Sequence, residues 1–351
     1  MKLRWSLFLF LFAFIYGGCA MASPLSEKIR LSGRFHVSDS CVCASAPAVT
    51  IEFAASTREV SFDIEGDSRF RFDIDGRPVS YFETKGRMVK KLAASPDGVH
   101  LYRLVKISES NPGKICIRSV NLRKGDAFAD LPKPTGRRIE FIGDSFTVGY
   151  GDEAKGPDDG TVYEKTDASK SYAFLVADYF KAEFQVNAVS GRGLVHNYGG
   201  IVPEWTLSSL YDYTLPGAID EENSPLWDFE RFHPQVVVVF VGINDFQGDP
   251  PHASVEDFKH AYASLLDKIR HAHEGVKFLL VSTKTWPDDS LTPVVEEIYR
   301  EELEKGHDDL EYKLVFTENS GLHGHPSEMS QKELANTIRP IVGRLGRWIS
   351  R

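Results

Sequence analysis

From about Lys28 to Asp130 apolar and polar residues alternate with a period of two, as in Val60-Ser61-Phe62-Asp63-Ile64 and Phe70-Arg71-Phe72-Asp73-Ile74. Such alternation turns one strand face to a core and the other to water. The second run stops at Asp75-Gly76, a dipeptide suited to a tight hairpin. Further runs at Leu101–Ile107 and Ile115–Val120 are set off by Pro96-Asp97-Gly98 and Asn111-Pro112-Gly113. The pattern predicts a small antiparallel β-sandwich, jelly-roll-like, over residues 23–130.

Leu131-Pro132-Lys133-Pro134-Thr135-Gly136 then breaks every periodicity, so residues 131–137 read as a linker and 138–351 as a second domain. Here apolar strand candidates alternate with amphipathic stretches. The strands are placed at 138–142, 183–188, 236–241, 277–282 and 313–317, and Val236-Val237-Val238-Val239-Phe240-Val241 is apolar on both faces. That is the signature of a parallel sheet covered by helices on both sides, an α/β domain. Ser254-x-x-Asp257 and Ser330-x-x-Glu333 read as helix caps, and Phe258, Tyr262, Leu265, Leu266 and Ile269 form a core-facing stripe.

The first residues change the picture of where the protein works. Lys2 and Arg4 precede an apolar run from Leu7 to Tyr16, too short for a secure membrane span, and small residues follow, as in an export signal. Two processing routes stay open: cleavage after Ala20-Met21-Ala22, which makes 1–22 the signal, or lipidation of Cys19 after Tyr16-Gly17-Gly18. The protein is therefore expected outside the cytoplasm, secreted or periplasmic, with a lipid on Cys19 as its one route to a membrane. Export permits disulfides: Cys116 is expected to pair with Cys41 or Cys43, the alternative being free buried thiols. With 41 Lys+Arg against 50 Asp+Glu, the net charge of −9 argues against nucleic acid as a partner.

Four segments carry chemistry, each just past a predicted strand, where a parallel sheet opens its crevice. Ile139-Glu140-Phe141-Ile142-Gly143-Asp144-Ser145 runs a buried strand into a serine, Ser145. Ser190-Gly191-Arg192-Gly193 supplies glycines whose backbone N–H groups can approach a ligand. Gly242-Ile243-Asn244-Asp245 places a side-chain amide at the end of the most apolar strand. Gly321-Leu322-His323-Gly324-His325-Pro326 offers a histidine that can serve as a general base near neutral pH. Two histidines at i and i+2 also invite a metal reading, but no cysteine cluster or carboxylate pair accompanies them.

Taken in order, Gly143-Asp144-Ser145, Gly191, Gly242-x-Asn244-Asp245 and His325 resemble the four sequence blocks of the SGNH (GDSL) hydrolases, over about 138–351. With Gly149-Tyr150-Gly151, Lys170-Ser171-Tyr172-Ala173, Trp227-Asp228-Phe229, His325-Pro326-Ser327 and the preceding sandwich, the chain is similar to carbohydrate esterase family 2. The resemblance implies a flavodoxin-like parallel sheet and a serine esterase that removes O-acetyl groups from polysaccharides such as xylan or glucomannan. It implies Ser145 as nucleophile, His325 as base, and the N–H groups of Ser145, Gly191 and Asn244 as oxyanion donors, with no cofactor and no metal. The partner expected is an acetylated carbohydrate. Rival expectations are an ester of a cell-wall sugar or acyl lipid, and a glycan-binding protein with little turnover.

One position departs from the family. His323 stands where these enzymes commonly carry an aspartate, so the third catalytic group is open, and a backbone carbonyl can orient the base instead. Gly324 replaces an aromatic residue, which leaves sugar stacking to Trp286 in Thr285-Trp286-Pro287 or makes that ring ordinary loop packing.

Overall fold

The computed structural model describes residues 25–110, 113–218, 224–248 and 250–349. The expected leader 1–22 and Cys19 lie outside the described residues. Among the described residues, the N-terminal part forms two antiparallel sheets. One orders Arg30–Ser32, Thr50–Ala55, His100–Lys106, Ser68–Ile74 and Arg77–Thr84, with Phe128–Ala129 pairing onto Thr50–Ala55. The other orders His36–Val37, Val42–Ala44, Ile115–Leu122, Glu59–Glu65 and Arg87–Ala93. Alternation works as the sequence implies: along Glu59–Glu65 only Val60, Phe62 and Ile64 are buried. At the Asp75-Gly76 turn both residues have positive φ, 50° and 75°, so the hairpin closes with Ile74 opposite Arg77.

The second part is a parallel sheet ordered Glu183–Ala188, Arg138–Gly143, Val236–Phe240, Lys277–Thr283, Leu310–Val315. In chain order this is 2-1-3-4-5, the flavodoxin-like arrangement with its switch point between strands 1 and 3. Helices Tyr172–Phe180 and Glu328–Leu345 pack on each other, and Val255–Ala272 on Leu291–Glu304. Leu291–Glu304 and Glu328–Leu345 both reach the last two strands without meeting closely, so they cover opposite faces. Every residue of Val236–Phe240 is buried, which is why that strand shows no alternation.

Two expectations need correcting. The last strand is Leu310–Val315, not 313–317: it lies at the sheet edge, and only its end residues Leu310 and Val315 are fully buried, so the apolar signal is weak. The C-terminal helix is capped by Ser327, not Ser330. Ser327 follows Pro326 and starts the helix a turn earlier, while the Ser330 hydroxyl, inside it, donates to the Glu318 carbonyl (2.6 Å).

The two parts share an interior. Ala48, Val105 and Ile107 of the sandwich belong to the same apolar core as the parallel sheet. Arg34, 1% exposed, enters that sheet's domain: it donates to Glu140 (3.2 Å), Gln185 (3.3 Å) and the carbonyls of Tyr211 and Tyr213. Its guanidinium also faces the rings of Tyr211, Trp227 and Phe229. Cys43 is bonded to Cys116, and Cys41 is free with its sulfur 3.5 Å from that of Cys43.

Candidate active site

Strand Arg138–Gly143 ends in a turn so tight that only glycine fits. A Cβ on Gly143 would stand 2.0 Å from the Thr147 hydroxyl oxygen and 2.8 Å from the Phe240 carbonyl. The chain then passes Asp144 and opens the short helix Ser145–Val148 with Ser145 as its first residue. The Ser145 N–H is thus one of the donors that a helix N-terminus leaves without an intrahelical acceptor. Asp144 caps that helix by accepting from the Phe146 N–H (3.0 Å), and its burial pushes the carboxyl up to about 7.

Across the sheet, His325 Nε2 lies 2.9 Å from Ser145 Oγ. The other ring nitrogen, Nδ1, lies 3.1 Å from the Leu322 carbonyl oxygen. A carbonyl can only accept, so Nδ1 carries the proton and Nε2 presents a lone pair to the serine hydroxyl. The loop is folded to make this possible: the same Leu322 carbonyl accepts from the His325 N–H (3.1 Å), and the Gly321 N–H donates to the His325 carbonyl (2.8 Å). Burial drives the His325 pKa down to about 4, with the Leu322 and His323 backbone opposing.

His323 takes no part in that line. Its backbone is left-handed (φ 49°), and its Nδ1 lies 2.8 Å from the hydroxyl of Tyr150. Tyr150 in turn stacks on His325, ring centroids 4.2 Å apart and planes 29° from parallel. The imidazole is therefore clamped between a tyrosine face, a backbone carbonyl and the serine. A tyrosine inside Gly149-Tyr150-Gly151 gives no sequence sign of this role, and a carbonyl has no sequence signature at all.

The two remaining blocks are joined to each other and to Asp144 through the Asn244 amide. Gly191 adopts φ 77°, and no protein acceptor takes its N–H among the described residues. Asn244, 6% exposed, sits in the helix Ile243–Phe246 that follows the central strand. Its amide donates to the Arg192 carbonyl (3.0 Å) and, at greater length, to Asp144 (3.3 Å). Those bonds fix its plane. Asp245 beside it accepts from the N–H groups of Leu194, Val195 and His196 (2.8–2.9 Å), tying the Gly191 loop to the central strand. Gly193 lets the two approach, since a Cβ there would lie 2.5 Å from the Asp245 carboxylate.

Trp286 is 44% exposed beyond strand Lys277–Thr283, and its N–H and carbonyl are both bonded to the Gln247 side chain (2.9 and 2.6 Å). The structure thus anchors its loop to the residue that follows the helix carrying Asn244 and leaves Trp286 partly exposed. Phe316, 74% exposed past the last strand, is a second open ring that sequence reading passed over as part of a strand.

Comparison with known proteins agrees with the fold. The GDSL-like Lipase/Acylhydrolase family matches residues 141–311, and the Carbohydrate esterase 2 N-terminal family matches 31–132. Cellulase/esterase CelE of Acetivibrio thermocellus is 30% identical over 91% of this chain, which spans 40% of that protein's length. An acetylxylan esterase / glucomannan deacetylase of Cellvibrio japonicus is 29% identical over 84% of this chain and 83% of its own. A solved family two carbohydrate esterase from Clostridium thermocellum, in complex with cellohexaose, superposes with a TM-score of 0.83 at 25% identity, covering 92% of this chain and 100% of that one. A parallel sheet with a Ser-His pair at its switch point, behind a sandwich that both the sequence and the fold match, places the chain in carbohydrate esterase family 2, among the acetylxylan esterase-like hydrolases of the GDSL/SGNH type.

Proposed function

We propose that the protein removes O-acetyl groups from polysaccharides or oligosaccharides of the acetylxylan or acetylglucomannan type, through an acetyl-enzyme on Ser145. The observation that carries the reading is the line Ser145 Oγ, His325 Nε2, His325 Nδ1, Leu322 carbonyl. Ser145 attacks the ester carbonyl while Nε2 takes its proton. The N–H groups of Ser145 and Gly191 and the Asn244 amide hold the tetrahedral oxyanion. His325 then returns the proton to the departing sugar oxygen, and water, activated by the same nitrogen, releases acetate. The Leu322 carbonyl fixes the tautomer, the orienting half of what a carboxylate does in a triad, without a full charge to stabilise the imidazolium.

The substrate class rests on kinship with the Cellvibrio deacetylase and on Trp286, an open ring suited to stacking on sugar. Action outside the cytoplasm is part of the proposal, supported by the apolar run at residues 7–16 and by the Cys43–Cys116 disulfide. No helix among the described residues is long and apolar enough to cross a membrane. The test is acetate release by the mature chain from acetylated xylan, acetylated glucomannan and 4-nitrophenyl acetate, with Ser145→Ala beside it. Release that vanishes in the variant supports the esterase and ranks its glycans. The cellohexaose bound by the Clostridium relative favours glycan binding as the second reading, and no release above the variant on any ester selects it.

A further inference from the structure

We propose that Glu109, a residue of the N-terminal sandwich, is a positioning residue for the oxyanion site: through the Ser190 hydroxyl it sets the direction of the Gly191 N–H. The inference rests on the esterase reading above.

Glycine leaves this direction undetermined by itself. At φ 77° Gly191 has no side chain to lock it, and a Cβ there would meet only Ile201 at 3.9 Å, so crowding does not aim the peptide either. The Ser190–Gly191 peptide that bears the N–H must be held from its ends. On the far side, the Tyr198 N–H donates to the Gly191 carbonyl (2.9 Å). On the near side the hold comes from the other domain, where Ser190 Oγ donates to Glu109 Oε1 at 2.6 Å.

The segment carrying Glu109 is built to be rigid. It follows strand His100–Lys106, and the Ile107 carbonyl accepts from the Ala168 N–H (2.8 Å). Ser110 Oγ donates to the carbonyl of Ala188, the last residue of the strand that leads to Gly191 (2.7 Å). Lys106, 1% exposed, donates its ammonium to the carbonyls of Ser108 and Glu109. Gly217 packs over Ser110 so closely that a Cβ would stand 2.2 Å from its carbonyl oxygen. Glu109 itself is 6% exposed. Burial raises its carboxyl to about 7 and lowers the Lys106 ammonium to about 7, so keeping both groups here costs stability. The Ser-His chemistry uses neither group directly, while the directional bond to Ser190 does use the carboxylate.

The experiment compares wild type, Ser190→Ala, Ser190→Thr, Glu109→Gln and Glu109→Leu by kcat and KM on 4-nitrophenyl acetate. It adds the affinity of methylboronic acid, whose tetrahedral adduct on a serine places an oxygen where the oxyanion forms, and thermal melting. Loss of one oxyanion donor lowers kcat about 10²–10³-fold, and a misaimed donor loses part of that. Ser190→Ala and Glu109→Leu are expected to lower kcat about 10–100-fold and weaken methylboronic acid to a similar degree, with KM within about twofold. Ser190→Thr and Glu109→Gln, which keep the hydroxyl and the acceptor oxygen, are expected to restore most of both. Ser190→Ala at wild-type kcat and boronate affinity overturns the inference, as does a loss that Ser190→Thr fails to recover or that appears only as a lower melting temperature. Wild type inactive on every ester instead overturns the esterase reading itself.

Discussion

An unperturbed imidazole is half protonated near pH 6.5, and only its neutral form can take the Ser145 proton. Around His325 burial disfavours the cation and the Leu322 and His323 backbone offsets only part of this, which leaves the pKa at about 4. A lowered pKa keeps the reactive form present at lower pH, so activity is lost only as pH falls through about 4. At pH 5 about 90% of the buried imidazole is neutral, against about 3% of an unperturbed one, a difference of about 30-fold in kcat/KM relative to its plateau. The assay is kcat/KM on an uncharged acetyl ester from about pH 3.5 to 8 at constant ionic strength, beside an NMR titration of His325 in Ser145→Ala. A half-activity point at pH 6 or above would refute the reasoning, because it would mean that burial does not hold the His325 imidazole below its ordinary range. His323→Asp tests the converse: a carboxylate within reach of the ring raises its pKa by about 1–3 units and moves the acid limb up by the same amount.

Asn244→Ala is expected to lower kcat about 10²–10³-fold with little change in KM, measured by steady-state kinetics, and a selective rise in KM would assign Asn244 to the ground state instead. Arg34→Met leaves the buried Glu140 without its cation and is expected to cost about 3–5 kcal/mol in denaturant unfolding, part of which Arg34→Met with Glu140→Leu recovers. Replacing Cys43 and Cys116 together by alanine opens a link across 73 residues and is expected to cost about 2–5 kcal/mol. Peptide mapping without reductant is expected to find Cys41 alkylated and Cys43 joined to Cys116.

The parallel sheet and the four loops at its crevice were legible because buried strands announce themselves as apolar runs and chemistry follows their C-terminal ends. Ser145, Gly191 and Asn244 follow such ends within four residues, and His325 lies further along the loop after the last strand. Less legible were groups whose meaning depends on a distant partner. Glu140 reads as an oddity within an apolar strand until Arg34, 106 positions away, is seen beside it. Glu109 lies 81 positions from Ser190, in the loop of another domain. The Leu322 carbonyl belongs to every residue alike, so no side-chain pattern could name it. Short sandwich strands such as His36–Val37 and Val42–Ala44 carry too few residues for an alternation to register.

Arg34 also bears on how such a protein can be rearranged. Its guanidinium is solvated by the carbonyls, carboxylate and rings of the other part of the chain, and Val105 and Ile107 complete a core begun by the parallel sheet. A hydrolase cut free at residue 138 would expose that apolar seam and strand Glu140, so it is expected to aggregate rather than persist as a smaller catalyst. Recombination between relatives faces the same boundary: a new N-terminal half must bring a cation to meet Glu140 and a side chain to meet Ser190. The two halves are therefore expected to fold and persist as one unit, although the proline-rich joint divides them in the sequence.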